Sequence, residues 1–105
     1  MGGELVRCWA GVTSAEDAEP YLDHLRRDTV PHLQRLAGFL GVDVLRRDLG
    51  ADEVEFVVHT RWQDLDAVRA FAGDSLDVAV VPPVAAALLK RYDDAVVHRV
   101  VAMQR

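Results

Sequence analysis

The chain has 105 residues, half of them hydrophobic, and its 12 basic and 17 acidic side chains leave a formal charge of −5. That length fits one compact domain spanning residues 1–105, and a domain so small gains from pairing with a second copy because it buries a modest share of its surface. The acid excess argues against nucleic acid as a partner, since phosphate binding calls for clustered Lys and Arg, whereas the basic pairs here (Arg26-Arg27, Arg46-Arg47, Lys90-Arg91) each lie close to acids.

The opening "MGGELVRCWAG" has no apolar run of signal-peptide length. Residues 4–12, "ELVRCWAGV", alternate as a strand. Val6, Cys8, Ala10 and Val12 form a small apolar face suited to lying under a helix. Arg7 and Trp9, on the other face with Leu5, suit a roomier or wetter setting. Cys8 is the only cysteine, which excludes an intrachain disulfide and a multi-Cys metal site. Its apolar face makes it an inert core residue beside any pocket.

"TSAEDAE" opens a helix, with Ser14 and Asp17 spaced as in a capping box. Pro20 requires either an irregular first turn or a helix that restarts with Pro20 in its first turn. Leu22, Leu25, Leu33 and Leu36 approximate one stripe. Pro31 predicts a break, leaving "HLQRLAG" as a short second helix that Gly38 stops. Tyr21 and His24 share a flank of the first helix and are candidate pocket residues.

"FLGVDVLRR" is the second strand, "DLGADE" a glycine-containing hairpin turn, and "VEFVVHTRW" the third strand. In the third strand Val54, Phe56, Val58, Thr60 and Trp62 share one face, assigned to the helices, and Glu55, Val57, His59 and Arg61 share the other. "DLDAVRAFAG" is a helix with Asp64 as N-cap, an apolar stripe of Leu65, Val68 and Phe71 with Ala72, and Gly73 as its end. "SLDVAVV" reads as a further helical turn, and after Pro82 and Pro83 "VAAALLKRY" reads as helix. This most apolar window, residues 78–89, is too short to cross a bilayer and carries two prolines. "AVVHRVVAM" is the last strand. A cytoplasmic protein with no membrane partner is expected.

Strand, helix, strand, strand, helix, strand is the order of a ferredoxin-like four-stranded antiparallel sheet with helices on one face. The other face, carrying Val57, Leu45, Leu5, Trp9 and last-strand residues, is too apolar for water. A two-fold homodimer covering it is therefore expected, with Arg7, Trp9 and His59 at the interface.

This order, with "VRCWAGV", "YLDHL", "GVDVLRRDLG", "WQDLDAVRAFAGD" and the last-strand "VVHRVV", resembles the antibiotic biosynthesis monooxygenase-like family of the dimeric α+β barrel superfamily. The resemblance implies a pocket between sheet and helices and a barrel made from the facing sheets of two subunits. Members of the family include cofactor-free oxygenases of polyketide phenols and anthrones, haem degraders, and many small proteins of unassigned activity. The chain looks most like the last group. Haem degraders use an Asn on the first strand, a Trp ending the third and a His on the second helical region. Trp62 matches the Trp, Arg7 or Cys8 falls at the Asn, and Val81 falls near the His. Val cannot ligate iron, so no haem, no metal and no other cofactor is expected. The apolar "AVVPPVAAALL" also departs from the family's more polar pattern here.

Cofactor-free oxygenation needs an apolar pocket, a proton acceptor and donors for a developing oxyanion. His98, for its near-neutral pKa, and Trp62, for its indole N–H, are the candidate catalytic residues. Trp62, Phe71, Cys8, Tyr21 and His24 are the candidate substrate pocket, for a small aromatic or polyketide-like ligand. Trp62 reads first as an aromatic packed under Phe71 and Leu65, and the alternative for the whole chain is a non-catalytic dimeric small-molecule-binding or scaffold protein.

Overall fold

A computed structural model describes residues 4–105. Strand β1 (Leu5–Ser14) leads into a helical rod of three parts: α1 (Ala18–His24), a π turn (Leu25–Thr29) and α2 (Val30–Gln34). The hairpin β2 (Phe39–Gly50) and β3 (Glu53–Trp62) follows, then α3 (Leu65–Ala72), α4 (Pro83–Leu88), β4 (Leu89–Tyr92) and β5 (Val97–Val100). The sheet is antiparallel in the order β2-β3-β1-β4, with β5 also pairing β1. Both late strands occupy the same edge: β4 pairs Gly11 to Thr13 and β5 pairs Leu5 to Cys8. The expected ferredoxin-like arrangement is present, but its fourth ribbon is split in two.

The split shortens the helix expected through Tyr92. Pro83 begins α4 where its missing N–H costs nothing, and the helix stops at Leu88, so "LKRY" pairs as strand. Arg91 grips Glu53 of β3 through two 2.9 Å bonds, and Lys90 lies 2.9 Å from the same carboxylate. Between β4 and β5 the chain stays tied to β1, because Asp93 N–H donates to the Ala10 carbonyl and accepts at Oδ2 from the Ala10 N–H. Residues 75–81 form no helix, only a single turn in which the Val78 N–H donates to the Ser75 carbonyl at 3.1 Å. They run alongside this edge, with Val78 bridged to Ala95.

Pro31 does not break the first helical segment. It sits in the first turn of α2, and the π turn immediately before it takes up the register that a proline-containing α-helix cannot keep. Pro20 lies in the first turn of α1. Ser14 caps the preceding turn, accepting from the Asp17 N–H at 3.1 Å. The β2–β3 turn places Ala51 and Asp52 at positive φ, the conformation a two-residue hairpin loop demands. Asp64 caps α3 by accepting from the Ala67 N–H at 2.9 Å, and Gly73 ends it at φ 68°.

The third strand faces as expected: Val54, Phe56, Thr60 and Trp62 are buried under the helices. β1 is reversed. Its register pairs Leu5 with Trp62, Arg7 with Thr60 and Trp9 with Val58, so this set lies on the helix side. Val6, Cys8 and Ala10 look out from the open face with Val57, Leu45 and Val97. Packing forms two clusters, one around Tyr21, Leu25, Phe56 and Leu89, the other around Leu5, Leu33, Trp62 and Val68. Each fully buried large side chain contributes roughly 1.5–3 kcal/mol of transfer free energy. In α3 the buried residue is Val68, whereas Leu65 is exposed, so the apolar stripe runs through Val68, Phe71 and Ala72, with Ala67 packed beside them.

Candidate functional site

A cavity of about 300 Å³ opens between the two clusters, under the helical rod and against the sheet. Val42 and Val44 of β2 and Val58 of β3 form its floor, Leu25, Val30 and Leu33 its helical wall, and Val80, Val81, Pro82 and Ala85 a third side. Into these apolar walls project a few polar groups from α1, the π turn and β1, which is the usual make-up of a small-molecule pocket.

The helical group is His24, Asp28 and Thr29, with Tyr21 one turn before. His24 Nδ1 lies 3.2 Å from Asp28 Oδ2, at an angle too oblique for a hydrogen bond, and Nε2 lies 3.4 Å from Thr29 Oγ1. The wider π turn brings residues four and five after His24 against its two ring nitrogens, so the irregularity builds this cluster. The imidazole is largely buried while Asp28 is open to solvent. Tyr21 is 2 % exposed, packs on Phe56 at 5.1 Å, and its hydroxyl has no hydrogen-bond partner among the described residues. Burial raises its pKa above the usual phenol value, keeping it a neutral donor.

The sheet-side group is Arg7, 4 % exposed. Its Nη1 donates to the Leu76 carbonyl and lies 3.1 Å from His98 Nε2, and its Nη2 donates to the Val78 carbonyl at 2.8 Å. The guanidinium lies 5.8 Å from the centroid of the Phe71 ring. Arginine has no acceptor, so His98 Nε2 must accept and the imidazole proton sits on Nδ1, facing Asp77 Oδ1 at 3.4 Å. Burial and the neighbouring Arg7 charge lower the His98 pKa, opposed by Asp77. Burial likewise lowers that of Arg7.

These positions revise several expectations. Arg7 and Trp9 line the pocket rather than the open face, because helix-side carbonyls and a roomy cavity supply the setting that an arginine and an indole need. The Trp9 N–H is taken by the Asp93 carbonyl at 2.9 Å. Cys8 pairs with His59 on the open face and is no pocket residue. Trp62 is fully buried between Phe39 and Phe71, its N–H donated to Thr60 Oγ1 at 2.9 Å, so it backs the pocket without lining it. His98 stands behind Arg7, outside the lining. Phe71, Tyr21 and His24 do line the cavity, as does Val81. His59 is half-buried on the open face. Asp28, Thr29 and Thr60 were missed, and the only signal for the first two was a proline inside a helical pattern. Among the described residues no group of three His, Cys, Asp or Glu side chains is placed to hold a metal ion. No described helix is long and apolar enough to cross a membrane.

Sheet order, one-sided helices and the intervening pocket define a ferredoxin-like α+β ligand-pocket domain. The chain belongs to the antibiotic biosynthesis monooxygenase family, whose model matches residues 13–75. That span includes His24 and the π turn and leaves out Arg7 and His98. No curated protein matches the chain by sequence. Among solved structures, a proposed antibiotic biosynthesis monooxygenase from Bacillus cereus is 14 % identical, covering 99 % of this chain and 98 % of that one at a TM-score of 0.70. The monooxygenase of the gene ActVA-Orf6 of Streptomyces coelicolor, solved with nanaomycin D, is 13 % identical over 99 % and 91 % of the two chains, at 0.61. A heme-degrading protein from Mycobacterium tuberculosis is 19 % identical over 100 % and 98 %, at 0.60. At such identities the likeness concerns the fold.

Proposed function

We propose that the chain is a cofactor-independent monooxygenase-like protein acting on a small apolar aromatic or polyketide-like substrate. The observation that carries this reading is the largely buried His24 imidazole in an otherwise apolar cavity, flanked by Asp28 and Thr29. In this role His24 accepts a proton from a ring-activated CH₂ group of the substrate, and Asp28 stabilises the imidazolium so formed. The resulting carbanion passes an electron to dioxygen, the two radicals join through a new C–O bond, and loss of water leaves a carbonyl: R₂CH₂ + O₂ → R₂CO + H₂O. Tyr21 is the donor available to the developing oxyanion. The apolar walls strip water from the carbanion and from the oxygen adduct.

Haem chemistry is the rival within the family. An iron would need an axial imidazole. His24 Nδ1 has no hydrogen-bond partner, the same freedom that lets it take a proton, while His32, the other imidazole of the lining, is exposed beside Phe71. The cofactor-free reading is preferred because the cavity walls are apolar and about 300 Å³ is little room for a porphyrin, and the haem titration below separates the two. The assembly supported by the apolar open face is a homodimer.

The test is thermal stabilisation and oxygen uptake with a panel of anthrones and phenolic polyketides, and a haem titration beside it. Stabilisation with stoichiometric oxygen consumption supports the enzyme. Stabilisation without uptake gives a non-catalytic binding protein. A haem Soret shift at stoichiometric haem would overturn the cofactor-free reading.

A further inference from the structure

Arg7 is the one buried cation of the pocket lining, and its hydrogen bonding is incomplete. A guanidinium has five N–H groups. Two on Nη1 meet the Leu76 carbonyl and His98 Nε2, and one on Nη2 meets the Val78 carbonyl. The Nε–H and the second Nη2–H find no acceptor among the described residues. The charge is also incompletely matched. Its immediate partners are two neutral carbonyls, an aromatic ring and an imidazole that is neutral in this arrangement, while Asp77, whose charge acts on Arg7 without a hydrogen bond to it, is exposed to solvent, which screens it. Taking a cation out of water is costly unless an anion meets it.

We propose that the ligand of this pocket is an acidic aromatic, whose phenolate or carboxylate oxygen is received by the free N–H groups of Arg7 while its ring system lies on the apolar floor. This rests on the pocket reading above and names the chemical class that the pocket selects. Three features support it. Hydrogen bonds to the carbonyls of Leu76 and Val78 fix the guanidinium, so it is preorganised and loses little freedom on binding. Phe71 beneath it offers the flat apolar surface on which an aromatic continues the stack. The other charge of the lining, Asp28, belongs to the opposite, helical wall and is open to water, so the cavity is polarised, positive on the sheet side.

The experiment compares matched pairs by calorimetric titration: 2-naphthoate against its methyl ester, and 2,4-dinitro-1-naphthol, ionised at neutral pH, against its methyl ether. An anion preference of about tenfold or more is expected in the wild type, as for hydrogen bonds to a charged group. Arg7→Met should erase the preference, weakening the anions about tenfold more than their neutral partners, and Arg7→Lys should restore part of it. Preference confined to one pair would identify carboxylate or phenolate as the source. Equal binding of ion and ester would overturn this inference and leave the pocket reading standing. Failure of every compound to bind would overturn both. Should Arg7→Met not fold, the wild-type comparison decides alone.

Discussion

The indole N–H of Trp62 donates to the hydroxyl of Thr60, two residues before it on the same strand, at 2.9 Å. Trp62 thus spends its one polar group inside the core, while Thr60 faces the cavity. Trp62→Phe should lose the bond and part of the packing against Phe39 and Phe71, costing about 2–3 kcal/mol with ligand affinity unchanged. Trp62→Ala should cost about 3–5 kcal/mol. Urea unfolding measures both, and loss of ligand binding in a folded Trp62→Phe would show that the indole touches the ligand.

His24 and Asp28 should behave as a unit. His24→Gln removes the proton acceptor and should lower turnover by about 10²–10⁴-fold, the usual worth of a general base, with ligand affinity retained. Asp28→Asn should lower turnover in the same direction. The double variant should be scarcely worse than His24→Gln alone. Steady-state oxygen uptake across the cycle checks this, and additive losses would mean that the two residues act separately.

Gly11 keeps the pocket wall in place. A Cβ built there would lie 2.6 Å from the Trp9 ring, and Trp9 is held at its other end by the Asp93 carbonyl. Gly11→Ala should push the indole toward the cavity, destabilising the fold by about 1–3 kcal/mol and weakening ligand binding. A changed Trp fluorescence spectrum together with lost affinity would report the displacement, and unaltered binding would mean that the ring has another way out.

Strand and helix placement was largely legible, because periodicity marks which residues share a face. It does not say which face is inward when both are apolar. Val6, Cys8, Ala10 and Val12 make the more hydrophobic side of β1, yet Leu5, Arg7 and Trp9 turn to the helices. The interior beside them is a cavity, and distant carbonyls at Leu76 and Val78 satisfy the arginine. Those partners lie about seventy residues away, beyond any local pattern. The placement of Trp62 and Phe71 could be read because capping by Asp64 and termination by Gly73 set the helix that covers them. The cluster around His24 could not, since it depends on a π turn that shifts spacing away from 3.6.

His98 should make stability depend on pH. Burial and Arg7 hold its folded pKa below the unfolded value of about 6.5. The unfolded chain therefore takes up the proton first. The contribution is fully present above about pH 6.5 and is lost as pH falls from there through the lowered folded value. Gln can accept from Arg7 and donate to Asp77 without titrating, so His98→Gln should flatten this part of the profile. Urea midpoints at pH near 7.5 and 5.5 measure the difference. An equal loss in both proteins would assign the acid sensitivity to other groups.

The open sheet face determines how a dimer must be tested. Trp9, expected there, lies in the pocket, so a charge at that position would damage the ligand site rather than an interface. The residues that do look outward are Val6, Cys8 and Ala10 of β1, Val57 of β3, Leu45 of β2 and Val97 of β5, with Leu45 and Val97 each more than half exposed. Ion pairs flank this strip, Arg61 with Asp43 and Arg47 with Glu55. An apolar centre with a charged rim is the anatomy of a protein interface, and a second copy supplies the same strip by two-fold symmetry. Val57→Asp would place two carboxylates near the centre of such a dimer and leave the pocket on the other face untouched. It should shift the protein to monomer in sedimentation equilibrium while the far-UV spectrum stays that of the folded chain. A variant that remains dimeric would place the subunit contact elsewhere on the molecule.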